Sequence, residues 1–362
     1  MTKIRVAIAG AGIGADHLEG YLANPERFEV IAVCDPHEDR ADPLITLARC
    51  DHLTSYEDAL TREDVDLLDI CLPPALHKRA ILDTLDSNKH VVCEQPLVAS
   101  LADADMIIRS AQIASHRVFP IFQNRFGNGI GQLQKIVERG IAGNPLMASL
   151  ETHWRRDADY YDVNWRGKWA TELGGAVLGH AIHAHDLLCQ VLGPVANVQA
   201  NLATRAHPTE VEDCGAIALQ LTSGALATSS ITLGHTADQS RLRFCFENLS
   251  AESAQGAGPY NPATSPWTFT ARNPADQPAL DEVVNRYSEH QEGYARQLEL
   301  IHEAISSGTP GPVTLQEARA SLALVTAIYQ SNAEGRRIDL GETVERRWYS
   351  GWAPNPKTNP GT

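Results

Sequence analysis

Two stretches of the chain carry residue types at spacings that can do chemistry. In the first, an apolar run at 3–9 (KIRVAIA) passes into Gly10-Ala11-Gly12-Ile13-Gly14-Ala15 and then a helical pattern. This fits G-x-G-x-x-[G/A], with Ala15 at the third position. Gly10 permits a tight turn, Gly12 lets a pyrophosphate approach the backbone, and Ala15 lets the helix pack close to the strand. The N–H groups that open the helix favour phosphate. A second apolar run, FEVIAVC at 28–34, ends in Cys34-Asp35. A carboxylate there accepts from a ribose 2′-OH and repels a 2′-phosphate, which selects NAD over NADP. The alternative is a plain glycine turn followed by a helix-capping aspartate.

The second stretch is Gly179-His180-Ala181-Ile182-His183-Ala184-His185-Asp186. At about 100° per residue, His180, His183 and Asp186 fall near one helical face and His185 falls opposite His183. An imidazole titrating near neutrality suits proton removal from a carbinol. Asp186 either orients that imidazole or stabilises the helix, and the phase of His185 packs it against the sheet. His180, His183 and Asp186 could also ligate a metal. No cysteine partner is near and helical histidines at this spacing usually hydrogen-bond, so no metal is expected.

These residues need a scaffold, and the patterning supplies one. Short apolar runs at 3–9, 28–34, 65–72, 90–93 and 117–122 alternate with helical spacing at 15–23, 38–49, 75–87 and 100–115. That alternation reads as βαβ units on a parallel sheet. The rhythm stops near residue 125. Helices are expected at 129–139 and 175–192, and strands at 146–154, 195–203, 214–222, 225–233 and 241–247. Residues 251–266 read as a loop, and helices follow at 288–307 and 314–334. The expected architecture is α/β: a dinucleotide-binding Rossmann domain at 1–125, then an α+β domain at 126–340 on a large, mostly antiparallel open sheet. An irregular, Trp- and Pro-rich tail completes it at 341–362.

Composition narrows the function. The net charge of −15 disfavours nucleic acid and anionic membranes. No apolar run approaches the ~18–20 residues of a membrane span. The seven cysteines are odd in number and form no C-x-x-C pair, and several sit in apolar runs, which points to a reducing, cytoplasmic setting. The first residues read as a strand rather than a secretory leader.

Further motifs extend the pattern. Leu72-Pro73-Pro74 closes a strand just before His77, and the strand at 90–93 ends in Glu94-Gln95-Pro96-Leu97. Gln123-Asn124-Arg125-Phe126, Trp165-Arg166-Gly167-Lys168-Trp169, Gly174-Gly175-Ala176, Gly293-Tyr294 and Ala327-Ile328-Tyr329-Gln330-Ser331 follow. Over roughly residues 3–340 the sequence resembles the glucose–fructose oxidoreductase / inositol dehydrogenase (Gfo/Idh/MocA) family. The resemblance implies a Rossmann domain, NAD(P), and hydride transfer at a carbinol of a sugar or cyclitol. It also implies a homodimer or homotetramer built through the open sheet. The strands at 195–247 are expected to carry more apolar surface than two helices cover.

Residue types and the resemblance together assign cofactor contacts to Gly10, Gly12, Ile13, Gly14, Asp35, Pro73, Pro74, His77, Glu94, Gln95, Gln123, Trp165 and Arg166. They assign substrate contacts to Gln95, Arg125, His153, Arg166, Lys168, His180, His183 and Tyr294. His183 takes the family's catalytic position, with Gln95 and His180 beside it in the reaction. Tyr294 and His290, one turn apart on a helix, either close the pocket or serve as core and cap. The run His153-Trp154-Arg155-Arg156 points to an acidic or polyhydroxylated substrate. Two departures stand out: the family's lysine is Gln95 here, and its aspartate four residues before the histidine is Gly179. Glutamine hydrogen-bonds but neither relays a proton nor supplies a cation; Lys168 either compensates or is a surface residue. Three readings follow: net hydride transfer, an NAD-dependent lyase or glycoside hydrolase working through transient oxidation, and a non-catalytic NAD-binding protein.

Overall fold

The computed structural model describes residues 3–253, 260–264 and 266–354. The first part alternates β1 (Ile4–Ala9), α1 (Gly14–Leu22), β2 (Phe28–Cys34), α2 (Glu38–Ala48), β3 (Asp51–Leu53) and α3 (Tyr56–Leu60). It continues through β4 (Leu67–Ile70), α4 (Pro74–Asp86), β5 (His90–Cys93), α5 (Leu101–Ile113) and β6 (Val118–Pro120). The six strands form one parallel sheet in the order β3-β2-β1-β4-β5-β6. The order reverses between β1 and β4, the place where such sheets open a crevice at their carboxyl ends. Strand β3 and helix α3 do not show in the periodicity because three half-exposed residues and a five-residue helix are too short to carry a period.

The second part begins with a 3₁₀ turn, Gln123–Phe126, then α6 (Asn128–Glu138), β7 (Pro145–Arg155), α7 (Ala158–Tyr161), a π-helical turn Val177–Ala181, and α8 (Ile182–Leu192). The strands β8 (Val195–Ala203), β9 (Cys214–Leu221), β10 (Leu226–Thr232), β11 (Gly234–Phe246), β12 (Leu249–Ser253) and β13 (Trp267–Ala271) follow. The chain then forms α9 (Gln277–Asn285), α10 (Gly293–Ser307), α11 (Leu315–Glu334), β14 (Ile338–Asp339) and α12 (Arg346–Tyr349). The eight strands β7–β14 make one sheet in the order β13-β12-β11-β7-β10-β9-β8-β14, antiparallel except for the β7–β10 pair.

Several expectations need correcting. The segment 251–266 is not simply a loop, since β12 runs to Ser253; residues 254–259 and 265 lie outside the described residues. Its small residues still alternate, with Leu249 and Ala251 buried and Ser250 and Glu252 less so, which is a strand's period. Helix α10 begins at Gly293 and not near 288. The Asn128 side chain bonds the His290 main chain through both N–H (3.0 Å) and C=O (3.0 Å), so His290 precedes the helix and is not one turn from Tyr294. The tail is not wholly irregular: α12 forms, and Trp348 and Trp352 are buried. Residues 355–362 lie outside the described residues.

By contacts the chain forms two compact units. The chain up to Gln123 groups with Gln291–Ala320, and Asn124–His290 groups with the chain from Ser321. Residues 291–320, read from sequence as part of the second domain, join the first because α10 packs on α1. Leu298, Ile301 and Ala304 sit in one core with Val6, Ile8, Leu18 and Phe28. Asn24 Nδ2 donates to the Ala295 carbonyl at 2.9 Å. In the second unit, alternation buries Ile217, Leu219, Ala227 and Ile231 and leaves Ala216, Ala218, Thr228 and Ser230 outside. The outer face is therefore small and polar at these positions, with Met147 and Leu226, paired across β7 and β10, as exposed apolar side chains. It is less apolar than the patterning suggested, because an alternating strand puts its branched residues on one side.

Candidate active site

In the first unit, β1 delivers the glycine turn. Gly10 has φ +103°, and an added Cβ would stand 2.4 Å from the Cys71 carbonyl oxygen. A Cβ on Gly12 would meet no protein atom within 4 Å, so that backbone faces open space. Gly14 starts α1, Ile13 is exposed, and Ala15 packs on the core. This geometry fits a pyrophosphate laid against the turn and the helix N-terminus. Asp35 is buried at the end of β2. Its carboxylate accepts from Ala11 N (3.0 Å) and His37 N (2.9 Å), and Arg40 lies 3.4 Å away. The acid thus ties the glycine turn to the second strand and holds the nearest cation.

Pro73 caps α4 and Pro74 opens it. His77 is buried, with ring nitrogens 2.8 Å from the Leu72 carbonyl and 2.9 Å from the Pro96 carbonyl. It braces the loop after β4 against the loop after β5, which is a structural place for a residue assigned to the cofactor.

Glu94 is a hub that sequence reasoning saw only as a motif letter. Its Oε1 accepts from Tyr294 OH (2.8 Å) and lies 3.0 Å from His17 Nε2, and its Oε2 accepts from Gln95 N (2.8 Å). The other His17 nitrogen lies 2.8 Å from Asp69. Full burial opposes charge on His17, but the facing Asp69 carboxylate overrides it and holds the ring protonated well above the usual range. Gln123 Nε2 donates to Tyr294 OH at 3.0 Å. Tyr294 and Gln123 therefore support Glu94, and Glu94 fixes the main chain of Gln95. His17, Asp69 and Cys71 also place donor atoms within 4.8 Å of one another. Both ring nitrogens of His17 already face carboxylates, and burial pushes the Cys71 thiol up to about 12, so this trio is a hydrogen-bonded core cluster.

In the second unit the histidine helix starts from a tightly built turn. The Glu212 carboxylate, fully buried, accepts from Gly175 N (3.1 and 3.2 Å), Val177 N (3.0 Å) and Tyr329 OH (2.8 Å). An added Cβ on Gly175 would sit 1.8 Å from the Glu212 main-chain oxygen, which explains the glycine. Trp352 donates to the Leu173 carbonyl (2.7 Å) and stacks on Tyr329. Burial raises Glu212 to about 7.

The π-helical turn at Val177–Ala181 breaks the 100° phase just before His183. His180 is buried, edge-on to Trp154 (5.1 Å), with Nε2 3.2 Å from Tyr160 OH. Burial, then the charges of Arg156 and Arg166, pull it well below its usual range, so it is neutral. His183 is half-buried one helical step later. Both oxygens of Asp186 accept from Arg125 at 2.7 Å; Asp186 thus anchors α8 to the 3₁₀ turn at 123–126, and Arg125 is a buried ion-pair partner. His185 packs against the sheet, 2.9 Å from Ser229, as its phase predicts. An added Cβ at Gly179 meets nothing within 4 Å, so packing does not forbid the family's aspartate there.

Arg166 lies over the rings of Tyr160 (3.9 Å) and Trp165 (4.2 Å) and 3.4 Å from Glu172. Lys168 is exposed and donates to the Asn164 carbonyl (2.8 Å). His153, expected at the substrate, is not brought to this cluster. It alternates with the buried Trp154 on β7 and lies on the opposite side of the sheet, 2.6 Å from Ser230. Tyr160, Glu172, Glu212 and Asp238 were missed in the sequence; the only signal was polar residues bordering the WRGKW and VEDC segments.

Two outcomes follow. Asp35→Ser shifts cofactor preference toward NADP by roughly 10-fold or more, because it removes the repelling charge and frees Arg40 for a 2′-phosphate. Fluorescence titration with both cofactors measures it, and an unchanged ratio refutes it. Glu212 is protonated in the folded chain at pH values where the unfolded chain is already ionised. Stability contributed by the neutral form is therefore lost as pH rises from about 4.5 to 7, on the order of 3 kcal/mol at most. Urea unfolding across that window should slope downward for wild type and flatten for Glu212→Gln.

Residues 4–122 match the GFO_IDH_MocA description "Oxidoreductase family, NAD-binding Rossmann fold", and residues 130–252 match the GFO/IDH/MocA C-terminal domain. The uncharacterized oxidoreductase YrbE of Bacillus subtilis is 24% identical over 351 residues, covering 95% of this chain and 98% of YrbE. The inositol 2-dehydrogenase of Salmonella typhimurium is 32% identical over 148 residues, 40% of this chain and 44% of that protein. The crystal structure of the WlbA dehydrogenase from Bordetella pertussis, in complex with NADH and UDP-GlcNAcA, superposes with a TM-score of 0.81 at 27% identity, covering 94% of this chain and 99% of that one. The glycine turn, the two sheets and these matches agree: the chain belongs to the Gfo/Idh/MocA family of NAD-binding oxidoreductases.

Proposed function

We propose that this chain transfers a hydride between NAD and a carbinol of a sugar, cyclitol or sugar-derived polyol. The observation that carries the reading is the pairing of two built features in one chain. The first is the open backbone at Gly12 beside the buried acid Asp35. The second is the half-buried His183 on a helix whose start is fixed by Glu212. The WlbA dehydrogenase with UDP-GlcNAcA and the inositol 2-dehydrogenases support a polyol-type substrate. NAD, when bound, supplies the hydride acceptor or donor. Gly10, Gly12, Ile13, Gly14 and Asp35 hold it, with Pro73, Pro74, Glu94 and Gln123 shaping the loops of the first unit.

His183 takes the proton of the reacting hydroxyl. Gln95 hydrogen-bonds and positions that hydroxyl, its main chain held by Glu94. His180, neutral and buried, donates a hydrogen bond and does not act as the base. Arg125 acts through Asp186 on the helix, and Tyr294 acts through Glu94.

The seven cysteines, free in the structure, support a reducing cytoplasm, and among the described residues no helix is long and apolar enough to cross a membrane. The mixed outer face of the second sheet, with Met147 and Leu226 exposed, supports assembly as a homodimer or homotetramer. Light scattering at micromolar concentration should give a multiple of the 39.4 kDa chain; a monomer removes this reading.

The chemical step is tested by single-turnover NADH formation over a panel of sugars and polyols between about pH 5 and 9. His183→Ala should lose roughly 10²–10⁴-fold in rate while still binding NAD. Gln95→Ala should lose less, since one neutral hydrogen bond contributes ~0.5–1.5 kcal/mol, and Gln95→Lys should raise the rate by restoring the family's cation. Near-wild-type rates in His183→Ala with a dead Gln95→Ala would reverse the roles. Product without NADH would favour the lyase or hydrolase reading.

A further inference from the structure

Around His180 the second unit assembles an unusual concentration of hydrogen-bond donors. Arg156 sits 4.9 Å from the Tyr160 ring, 5.0 Å from Trp154 and 5.3 Å from Tyr260, and Arg166 covers the Tyr160 ring at 3.9 Å. Tyr160 thus stands beside two guanidinium groups, with its hydroxyl on His180. Arg166 can only donate, so the Tyr160 oxygen accepts from it, and the Tyr160 proton is available to His180 Nε2. A neutral imidazole that accepts at Nε2 carries its proton on Nδ1.

His180 Nδ1 is buried and has no partner among the described residues, and Arg156 Nε is in the same condition. Both are donors. The nearby acids are already engaged. Asp238 takes Arg155 N (2.8 Å), the Tyr260 hydroxyl and one Arg156 nitrogen (3.2 Å). Glu172 takes Gly167 N and faces Arg166, and burial raises its pKa, which weakens it as a counter-charge. A sugar hydroxyl is matched by a donor together with an acceptor. Two orphan donors in a field of two guanidinium groups match a group that only accepts and carries negative charge.

We propose that His180 Nδ1 and Arg156 Nε, supported by Arg166, receive an anionic, acceptor-only substituent of the substrate, so that the substrate is a sugar acid or a sugar phosphate. The proposal rests on the reading of the chain as a sugar oxidoreductase and makes it specific. It casts His180 as a neutral donor whose tautomer Tyr160 sets. It also gives the two arginines a role in substrate selection that the glycine turn and His183 do not supply.

The test is calorimetric titration of the NADH-loaded full chain with D-glucose, D-glucuronate and D-glucose 6-phosphate. At least one anion should bind about 10-fold tighter than D-glucose or better, the scale of one charge-assisted hydrogen bond, and should weaken with added salt. Whichever of the two anions leads identifies the substituent as carboxylate or phosphate. Arg156→Lys keeps the charge and removes the Nε donor, and His180→Phe keeps a ring and removes Nδ1. Each should cut the anion preference severalfold while NADH binding in the first unit persists. Equal or weaker binding of both anions, or a preference that survives both variants, overturns the proposal. NADH formation is followed in parallel with NAD. Anion preference without turnover of any sugar would retain the receptor and refute the oxidoreductase reading. Turnover of neutral polyols with no anion preference would do the reverse.

Discussion

A carboxylate sealed away from water must find donors, and in the second unit Glu212 finds them on the backbone that starts the histidine helix. Its acceptance from Gly175 N and Val177 N fixes where the turn ends, and its bond from Tyr329 ties that turn to α11. The glycine pair follows from this closeness. Residue 175 lies so near the Glu212 main chain that no side chain fits, and a Cβ on Gly174 would stand 2.4 Å from the Tyr329 hydroxyl. Trp352 closes the arrangement by donating to Leu173, which holds φ +70°, a conformation a branched side chain adopts only when its surroundings impose it. The start of the helical segment that carries His183 is set by a buried acid.

The first unit solves the same problem with a histidine. Glu94 and Asp69 are two buried carboxylates on neighbouring strand ends, and their charges would repel. His17, reaching from α1, stands between them, and the facing Asp69 carboxylate holds it protonated against burial. The pair of carboxylates is thereby offset by one internal cation. Gln95 adds no second cation, in contrast to the lysine of the family pattern. The loop after β5 is held through Glu94 and His77, by bonds to the main chain of Gln95 and Pro96, so the exchange at 95 removes a cation while leaving these supports in place.

Much of this was legible in the sequence where the signal is local. The glycine turn, the strand ends at Asp35 and Glu94 and the inward packing of His185 follow from steric need and periodicity. What stayed hidden depends on contacts between residues distant in sequence. Glu212 meets Gly175 across 37 positions and Tyr329 across 117, and Arg125 meets Asp186 across 61. Nothing in the local pattern says that Arg125 is consumed by an ion pair. The α10 segment misled for a related reason. Its amphipathic face is plain, but amphipathicity does not say which core it joins, and Leu298 and Ile301 join that of β1 and β2. The π-helical turn at Val177–Ala181 stayed hidden too, because a 3.6-residue period does not announce it.

The two histidines His180 and His183 differ in their surroundings. His180 faces Trp154 and Tyr160, and burial, followed by the charges of Arg156, Arg166 and His183, acts against a positive ring. A base must gain a proton as the carbinol loses one, so a ring held neutral by burial and by adjacent cations is poorly suited to the task. The same surroundings suit a fixed donor, because a neutral ring with a set tautomer presents one N–H in a constant direction. His183 keeps part of its surface exposed, so solvent can reach it. What the sequence shows as a repeated histidine thus stands in two environments, one sealed and one open.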